Sequence, residues 1–364
     1  MHQINKKVIN VTKTYLPNIE KYKKYVDEIF ACGWVTNNGP LVRRLEKRLE
    51  EYLEVKNVVL VSNGTAALEV AYRTLGIEGF AVTTPFSFVA TTSSLVTNNL
   101  LPIFADIDNN TLNINPDNIE KLITLNTSAI VPVHVFGNGC EAEEIQTIAE
   151  KYGLKVIYDA AHAFDVKYKE KSILRYGDIS TLSFHATKLF HTIEGGALII
   201  NDDELVKKAR YLINFGFENE ESIPHLGINA KMNEFEAAMG LCILEDMDVM
   251  FKNRKEVYEL YQSELSGLVR FQKINKNTSN NHSYFPIILK SQEQLLSVKN
   301  TLNSHNIYPR RYFYPALDTL SYIEPKQICE ISRDISQRIL CLPMYSELAR
   351  KEQESIIRLV KESL

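Results

Sequence analysis

The chain has 364 residues, 45% of them apolar and 24% charged, with 41 basic against 45 acidic side chains and a formal net charge of −4. That length suggests about two domains with an ample core, and the balance of charge supplies no field that would gather nucleic acid or an anionic membrane. Any anionic substrate must then be held by a local site.

Residues 1–7 are followed by no long apolar run, so neither a signal peptide nor a membrane span is expected. A β-branched run at 58–61 predicts a buried strand, and 65–75 follows with helical spacing. Further strands are predicted at 80–84, 101–106, 129–135, 155–158 and 180–184, with a helix at 141–152. Alternation of this kind predicts a mostly parallel sheet covered on both faces, here a large domain spanning 1–245. The character then changes. A long helix is predicted at 244–265, a polar Asn-rich connection at 275–281, a strand at 284–289, and helices at 292–303 and 353–364. These make a smaller α/β domain, 246–364. The cysteines (Cys32, Cys140, Cys242, Cys329, Cys341) are odd in number and include no CxxC pair, which reads as free thiols of a reducing cytoplasm. His134 and Cys140 flank a Gly-containing turn and read as structural. No metal-ligand spacing is present, so no metal is expected.

In sheets of this type ligands bind outside the carboxyl ends of the strands, and three features fall there. Lys188 closes Ser183-Phe184-His185-Ala186-Thr187-Lys188 just before Gly195-Gly196 and the apolar Ala197-Leu198-Ile199-Ile200. Asp159 ends the strand Lys155-Val156-Ile157-Tyr158-Asp159. Ser62-Asn63-Gly64-Thr65-Ala66-Ala67 joins a strand to a helix. A lysine able to hold an aldehyde as a Schiff base, a carboxylate able to keep a pyridine nitrogen protonated, and a turn able to hold a phosphate are what pyridoxal 5′-phosphate chemistry requires. Free N–H groups at a helix start bind phosphate, and Gly64 permits close backbone approach. Ser183 adds a hydroxyl to that end, His162 is placed beside the cofactor's phenolic oxygen, and Phe88 is the candidate for stacking on its ring. Each residue alone has a plainer role: solvated lysine, aspartate N-cap, core histidine, core phenylalanine. Their conjunction carries the assignment.

These motifs, with Gly33-Trp34-Val35-Thr36-Asn37-Asn38-Gly39-Pro40, Asp159-Ala160-Ala161-His162 and Gly227-Ile228-Asn229-Ala230-Lys231-Met232-Asn233-Glu234, resemble the DegT/StrS family of sugar aminotransferases. The resemblance implies a type I aminotransferase fold and a homodimer whose active sites are shared between subunits. It makes Lys188 the Schiff-base lysine and Asp159 the partner of the pyridinium. Thr65 and Ala66 would give amides to the phosphate, Ser183 its hydroxyl, and Asn229 would reach the phosphate of the neighbouring subunit's cofactor. His162 stands where a glutamine is common. Trp34 and Asn38 lie in a loop similar to the family's sugar-facing loop, His185 is three residues from the lysine, and Tyr314 resembles an aromatic near the sugar. Arg310 and Arg311 are candidates for a diphosphate. Within the family, the segment around Lys188 is similar to the branch that makes dTDP-4-amino-4,6-dideoxyglucose. The implied reaction is transamination of a nucleotide-linked keto-6-deoxyhexose, dTDP-4-keto-6-deoxyglucose, with L-glutamate as donor, in the cytoplasm, for a surface glycan. A 3-keto-sugar aminotransferase is the alternative within the family. A non-catalytic sensor or scaffold is the alternative outside it.

Overall fold

A computed structural model describes residues 8–364; residues 1–7, the start of the expected large domain and the basis for reading its N-terminus, lie outside the described residues. The central sheet has seven strands: β1 (Val58–Val61), β2 (Phe80–Thr83), β3 (Leu101–Phe104), β4 (Thr127–Val131), β5 (Lys155–Asp159), β6 (Ile179–Ser183) and β7 (Gly196–Ile200). Their spatial order is β1-β7-β6-β5-β4-β2-β3. Neighbours from β6 through β3 run parallel, while β7 is antiparallel to both β1 and β6. The alternating direction of side chains along a strand explains why β1 and β7 are apolar throughout. Val58, Leu60, Ala197 and Ile199 enter one core, and Val59, Val61, Leu198 and Ile200 enter the core on the other face. The first face is covered by α1 (Ile19–Cys32), α2 (Pro40–Leu53) and α7 (Glu234–Glu245). The second is covered by α3 (Gly64–Leu75), α4 (Val89–Thr97) and α6 (Asp203–Leu212), and α5 (Ala142–Tyr152) packs on a further cluster beyond β5.

The C-terminal part comprises α8 (Met247–Leu265), α9 (Gln292–Ser304), α10 (Glu330–Arg338) and α11 (Arg350–Ser363), packed on an antiparallel sheet of β8 (Arg270–Phe271), β9 (Pro286–Ile288) and β10 (Ile339–Cys341) in that order. Its own core includes Tyr261, Phe285, Leu295 and Ile356, and also Ile9. The pair Ile9–Asn10 runs parallel to Ile307–Tyr308, so the N-terminal segment is built into the C-terminal part, which periodicity does not reveal.

Three expectations are corrected. The helix expected over 244–265 is broken at Asp246 (φ −102°, ψ 2°), so Leu244 and Glu245 close α7 and α8 starts at Met247. The Asp246 carboxylate is held from outside by Lys21 Nζ at 2.7 Å and Tyr15 Oη at 3.1 Å, contacts of long sequence separation. The strand expected over 129–135 is continuous only to Val131; beyond Pro132, which has no N–H for a ladder, a single bridge of Val133 to Asp159 follows, and Val135 enters a 3₁₀ turn. The Asn-rich stretch 275–281 is more than a polar connection. Asn275 Nδ2 donates to Gly139 O at 2.7 Å, and Asn281 Nδ2 donates to His162 O and Phe164 O at 2.8 and 2.9 Å. Buried amides here satisfy carbonyls of the loops that follow β4 and β5. His134 and Cys140 close their turn through Cys140 N–H donating to His134 Nδ1 at 3.0 Å.

The N-terminus of α2 shows how distant segments are joined. Its N-cap is Gly39, which has no side chain to bond the free amides. Buried Glu234 does so instead: Leu41 N–H donates to Oε2 at 2.7 Å and Val42 N–H to Oε1 at 3.0 Å. A Cβ on Gly39 would lie 2.6 Å from the Glu234 Cδ, so only glycine leaves the carboxylate its place. Glu234→Ala removes both bonds and a charge suited to the helix start, and is expected to cost about 1–2 kcal/mol of stability. Denaturant unfolding of the variant beside the parent measures this.

Candidate active site

A cavity of about 310 Å³ opens at the carboxyl ends of β5 and β6. It is lined by Asp159 and Ser183, by Gly64 and Thr65 at the start of α3, by Phe88 ahead of α4, and by His162, His185 and Lys188 from the loops after β5 and β6. The sheet order explains the convergence, since β5 and β6 are parallel neighbours and their ends face the same way.

Asp159 is 6% exposed. Burial pushes its carboxyl above the ordinary value, while Thr91, the Ala161 amide and the charge of Lys188 pull it back. Oδ2 accepts from Thr91 Oγ1 at 2.7 Å and Oδ1 from Ala161 N–H at 3.1 Å. Lys188 faces this carboxylate. It is half-buried, its Nζ has one long contact, 3.5 Å to Tyr284 Oη, and loss of solvent lowers its pKa to about 8 against the pull of Asp159. The two groups thus act on each other's charge across the cavity. His162 is buried, and burial holds its pKa well below the ordinary value, so it is neutral. Its Nδ1 accepts from Phe136 N–H at 3.2 Å, which leaves the ring proton on Nε2. The ring lies parallel to Phe136 and Phe313 and 4.6 Å from Tyr284.

At the other end of the cavity Asn63 caps α3, its Oδ1 accepting from Ala66 N–H at 2.8 Å. The Ala66 amide is therefore engaged, whereas that of Thr65 has no partner among the described residues. A Cβ on Gly64 would lie 2.8 Å from Ser183 Cβ, so the glycine lets the helix start meet the end of β6.

The remaining expected residues divide. His185 lines the cavity, its Nδ1 2.8 Å from Thr187 Oγ1 and its Nε2 3.5 Å from Glu194. Arg310 lines the cavity with its guanidinium 4.8 Å above the Tyr312 ring. Arg311 is turned away: it stacks on Tyr314 at 3.5 Å and donates to Ser336 O and Gln337 O. Of the two arginines, then, the structure brings Arg310 to the wall, and Tyr312 and Phe313 line it where Tyr314 does not. Trp34, Asn38 and Asn229 are exposed and lie outside this cavity, with Asn229 Oδ1 accepting from Lys231 Nζ at 2.8 Å.

The DegT/DnrJ/EryC1/StrS aminotransferase family matches residues 18–361. The chain belongs to that family. Among its relatives, a dTDP-4-amino-4,6-dideoxy-D-glucose transaminase of Shigella dysenteriae is 44% identical, with 98% of this chain and 99% of the relative covered. The solved structure of DesI in the presence of its TDP-sugar product superposes with a TM-score of 0.91 at 29% identity, covering 98% of this chain and 92% of the other. That of NtdA from Bacillus subtilis, with bound PMP, gives 0.89 at 26% identity, covering 96% and 82%.

Pyridoxal phosphate, the cofactor of DegT/DnrJ/EryC1/StrS aminotransferases, fits the residues present. The cavity offers an amine of lowered basicity, a buried carboxylate with lone pairs left, a neutral N–H donor at His162 and a free amide at Thr65. Residues that sequence reading missed are Thr91, Tyr284, Glu194 and Tyr312. Thr91 and Tyr284 gave no signal, because a helix threonine and a strand-edge tyrosine are ordinary until a tertiary contact is seen. Glu194 was visible beside Gly195-Gly196.

The lowered basicity of Lys188 has a direct readout. Burial disfavours the charged amine, so the proton leaves near pH 8 instead of near 10.5. Reductive trapping of added pyridoxal phosphate by apoenzyme, followed by peptide mapping across a pH series, should modify Lys188 with a midpoint near pH 8. Exposed lysines should need about two units more. A Lys188 midpoint above pH 10 would place its amine in bulk water.

Proposed function

We propose that the chain transfers the amino group of L-glutamate to C4 of dTDP-4-keto-6-deoxyglucose, giving dTDP-4-amino-4,6-dideoxyglucose for a surface glycan. The observation that carries this reading is Lys188 opposite Asp159 in one cavity of a chain closely similar to a transaminase of that name. When bound, pyridoxal phosphate supplies an aldehyde that condenses with amines and a ring that accepts electrons from the adjacent carbon.

The protein's own residues supply the rest. Lys188 Nζ takes the proton from Cα of the donor and returns a proton during the second half-reaction, at the sugar carbon. An amine titrating near pH 8 has the basicity such work needs. Asp159 holds a positive charge at the far end of the cavity, and a paired ion there answers the cost of burying the carboxylate. His162 donates from Nε2 to a phenolic oxygen while its partners Phe136 and Phe313 keep the ring in one plane. Thr65 N–H and the Ser183 hydroxyl receive the phosphate at the positive end of α3. Phe88, half-exposed at the cavity, covers a ring face. Arg310 and His185 face the sugar nucleotide at the mouth. Two substrates that use one site in turn give ping-pong kinetics.

The active unit in this proposal is a homodimer in the cytoplasm, and each subunit divides into domains 1–245 and 246–364. Trp34, Asn38 and Asn229 are exposed beside apolar Val35, Phe215 and Leu226. In this proposal a twofold interface over that surface brings them to the partner's cavity, and the symmetry makes the exchange reciprocal. Among the described residues no helix is long and apolar enough to cross a membrane.

Incubation with glutamate and each of the 4-keto and 3-keto dTDP-6-deoxyhexoses, followed by product structure determination, tests the reading. Amination at C4 is expected; amination only of the 3-keto compound overturns the choice of sugar. Lys188→Ala should lower turnover by about a thousandfold or more, since it removes nucleophile and base together. Turnover at the parent rate would remove Lys188 from the chemistry.

A further inference from the structure

The Asp159 carboxylate does not stand alone. Its Oδ2 accepts the 2.7 Å bond from Thr91, and Thr91 Oγ1 lies 2.7 Å from Ser87 Oγ. A hydroxyl has one proton to give. Thr91 gives its proton to the carboxylate, so the bond between the two hydroxyls must be donated by Ser87. Ser87 to Thr91 to Asp159 is thus a chain with one direction, and all three residues are buried. Ser87 and Asp159 both line the cavity. Thr91 stands in the first turn of α4, where the helix dipole favours a neighbouring anion. The titratable groups facing Asp159 are few. Lys188 is the cation across the cavity, His162 is neutral, and the Tyr72 hydroxyl on α3 is 3.2 Å from Ser94 Oγ.

We propose that Ser87 and Thr91 are positioning residues that keep Asp159 ionised and leave its free lone pairs directed into the cavity, so that the pyridine nitrogen of the bound cofactor stays protonated. The inference rests on the proposed pairing of Asp159 with that nitrogen. Without the Thr91 donor, Oδ2 is buried with no hydrogen bond, and the carboxylate relieves this by taking the ring's proton. Removing one hydrogen bond to a buried charge shifts such a proton equilibrium about tenfold or more.

The test is ring-¹⁵N NMR of holoenzyme loaded with ¹⁵N-labelled pyridoxal phosphate, read beside turnover. The parent should show a protonated nitrogen at neutral pH. Thr91→Val, which keeps the branched shape, should move the signal toward the unprotonated form and lower kcat about tenfold or more, with the melting temperature little changed. Thr91→Ser should restore both readouts. Ser87→Ala leaves Thr91 in place and should give a smaller shift in the same direction, an independent measurement should the valine protein fold poorly. A protonated nitrogen in both Thr91→Val and Ser87→Ala overturns the proposal. Asp159→Asn distinguishes the two layers. If it deprotonates the ring while the Thr91 and Ser87 variants do not, the hydroxyl chain is wrong and the pairing stands. If the ring stays protonated in Asp159→Asn too, the pairing itself is wrong and the hydroxyl chain falls with it.

Discussion

A carboxylate and an amine face each other across a cavity that strips both of water, and the rest of the architecture serves to hold them there. Left alone, burial would neutralise either group: it raises the pKa of Asp159 and lowers that of Lys188. Two hydrogen bonds and the charge of Lys188 favour the ionised form of Asp159, while burial gives Lys188 its lowered basicity. Asp159 is anchored twice, by a helix hydroxyl and by the amide two residues on. Lys188 is left nearly free, with one long contact to Tyr284. The asymmetry suits chemistry in which the acid stays still and the base must move.

That opposition requires a sheet whose parallel strands end side by side. β5 delivers Asp159 and β6 leads to Lys188, and their pairing puts the two loops next to each other. The apolar runs of β1 and β7, split between two cores, fix the neighbouring ladder so that the start of α3 meets the end of β6. The C-terminal part then closes one wall with Tyr284, Arg310, Tyr312 and Phe313. Arg254, buried and donating to the carbonyls of His282, Ser283 and Met344, holds the segment ahead of β9 that carries Tyr284.

Much of this was legible from residues because the informative signals are local. Strand runs, the strand-to-helix turn at 62–67, Gly64 and the strand-end position of Asp159 all depend on near neighbours, and they drew Lys188, Asp159, His162 and the α3 turn to one place. Contacts between distant segments were not legible. The pairing of Ile9 with Ile307, the break at Asp246 under Lys21 and Tyr15, and the support of Asp159 by Thr91 each join segments far apart in sequence, where periodicity carries no information. Which of Arg310 and Arg311 lines the cavity was not legible for a related reason. Adjacent residues on an irregular segment point different ways, and only the fold shows that one stacks on Tyr314 while the other reaches the wall.

Glu234 has a reach beyond the helix it caps. Its backbone N–H donates to Val35 O at 3.1 Å while its side chain grips the amides of Leu41 and Val42. The stretch bearing Trp34 and Asn38 and the stretch bearing Asn229 are therefore fastened at a common rivet, five residues from Asn229. Neither can shift far without dragging the other. A displacement of one of these outward-facing stretches is therefore transmitted to the other through a single buried side chain.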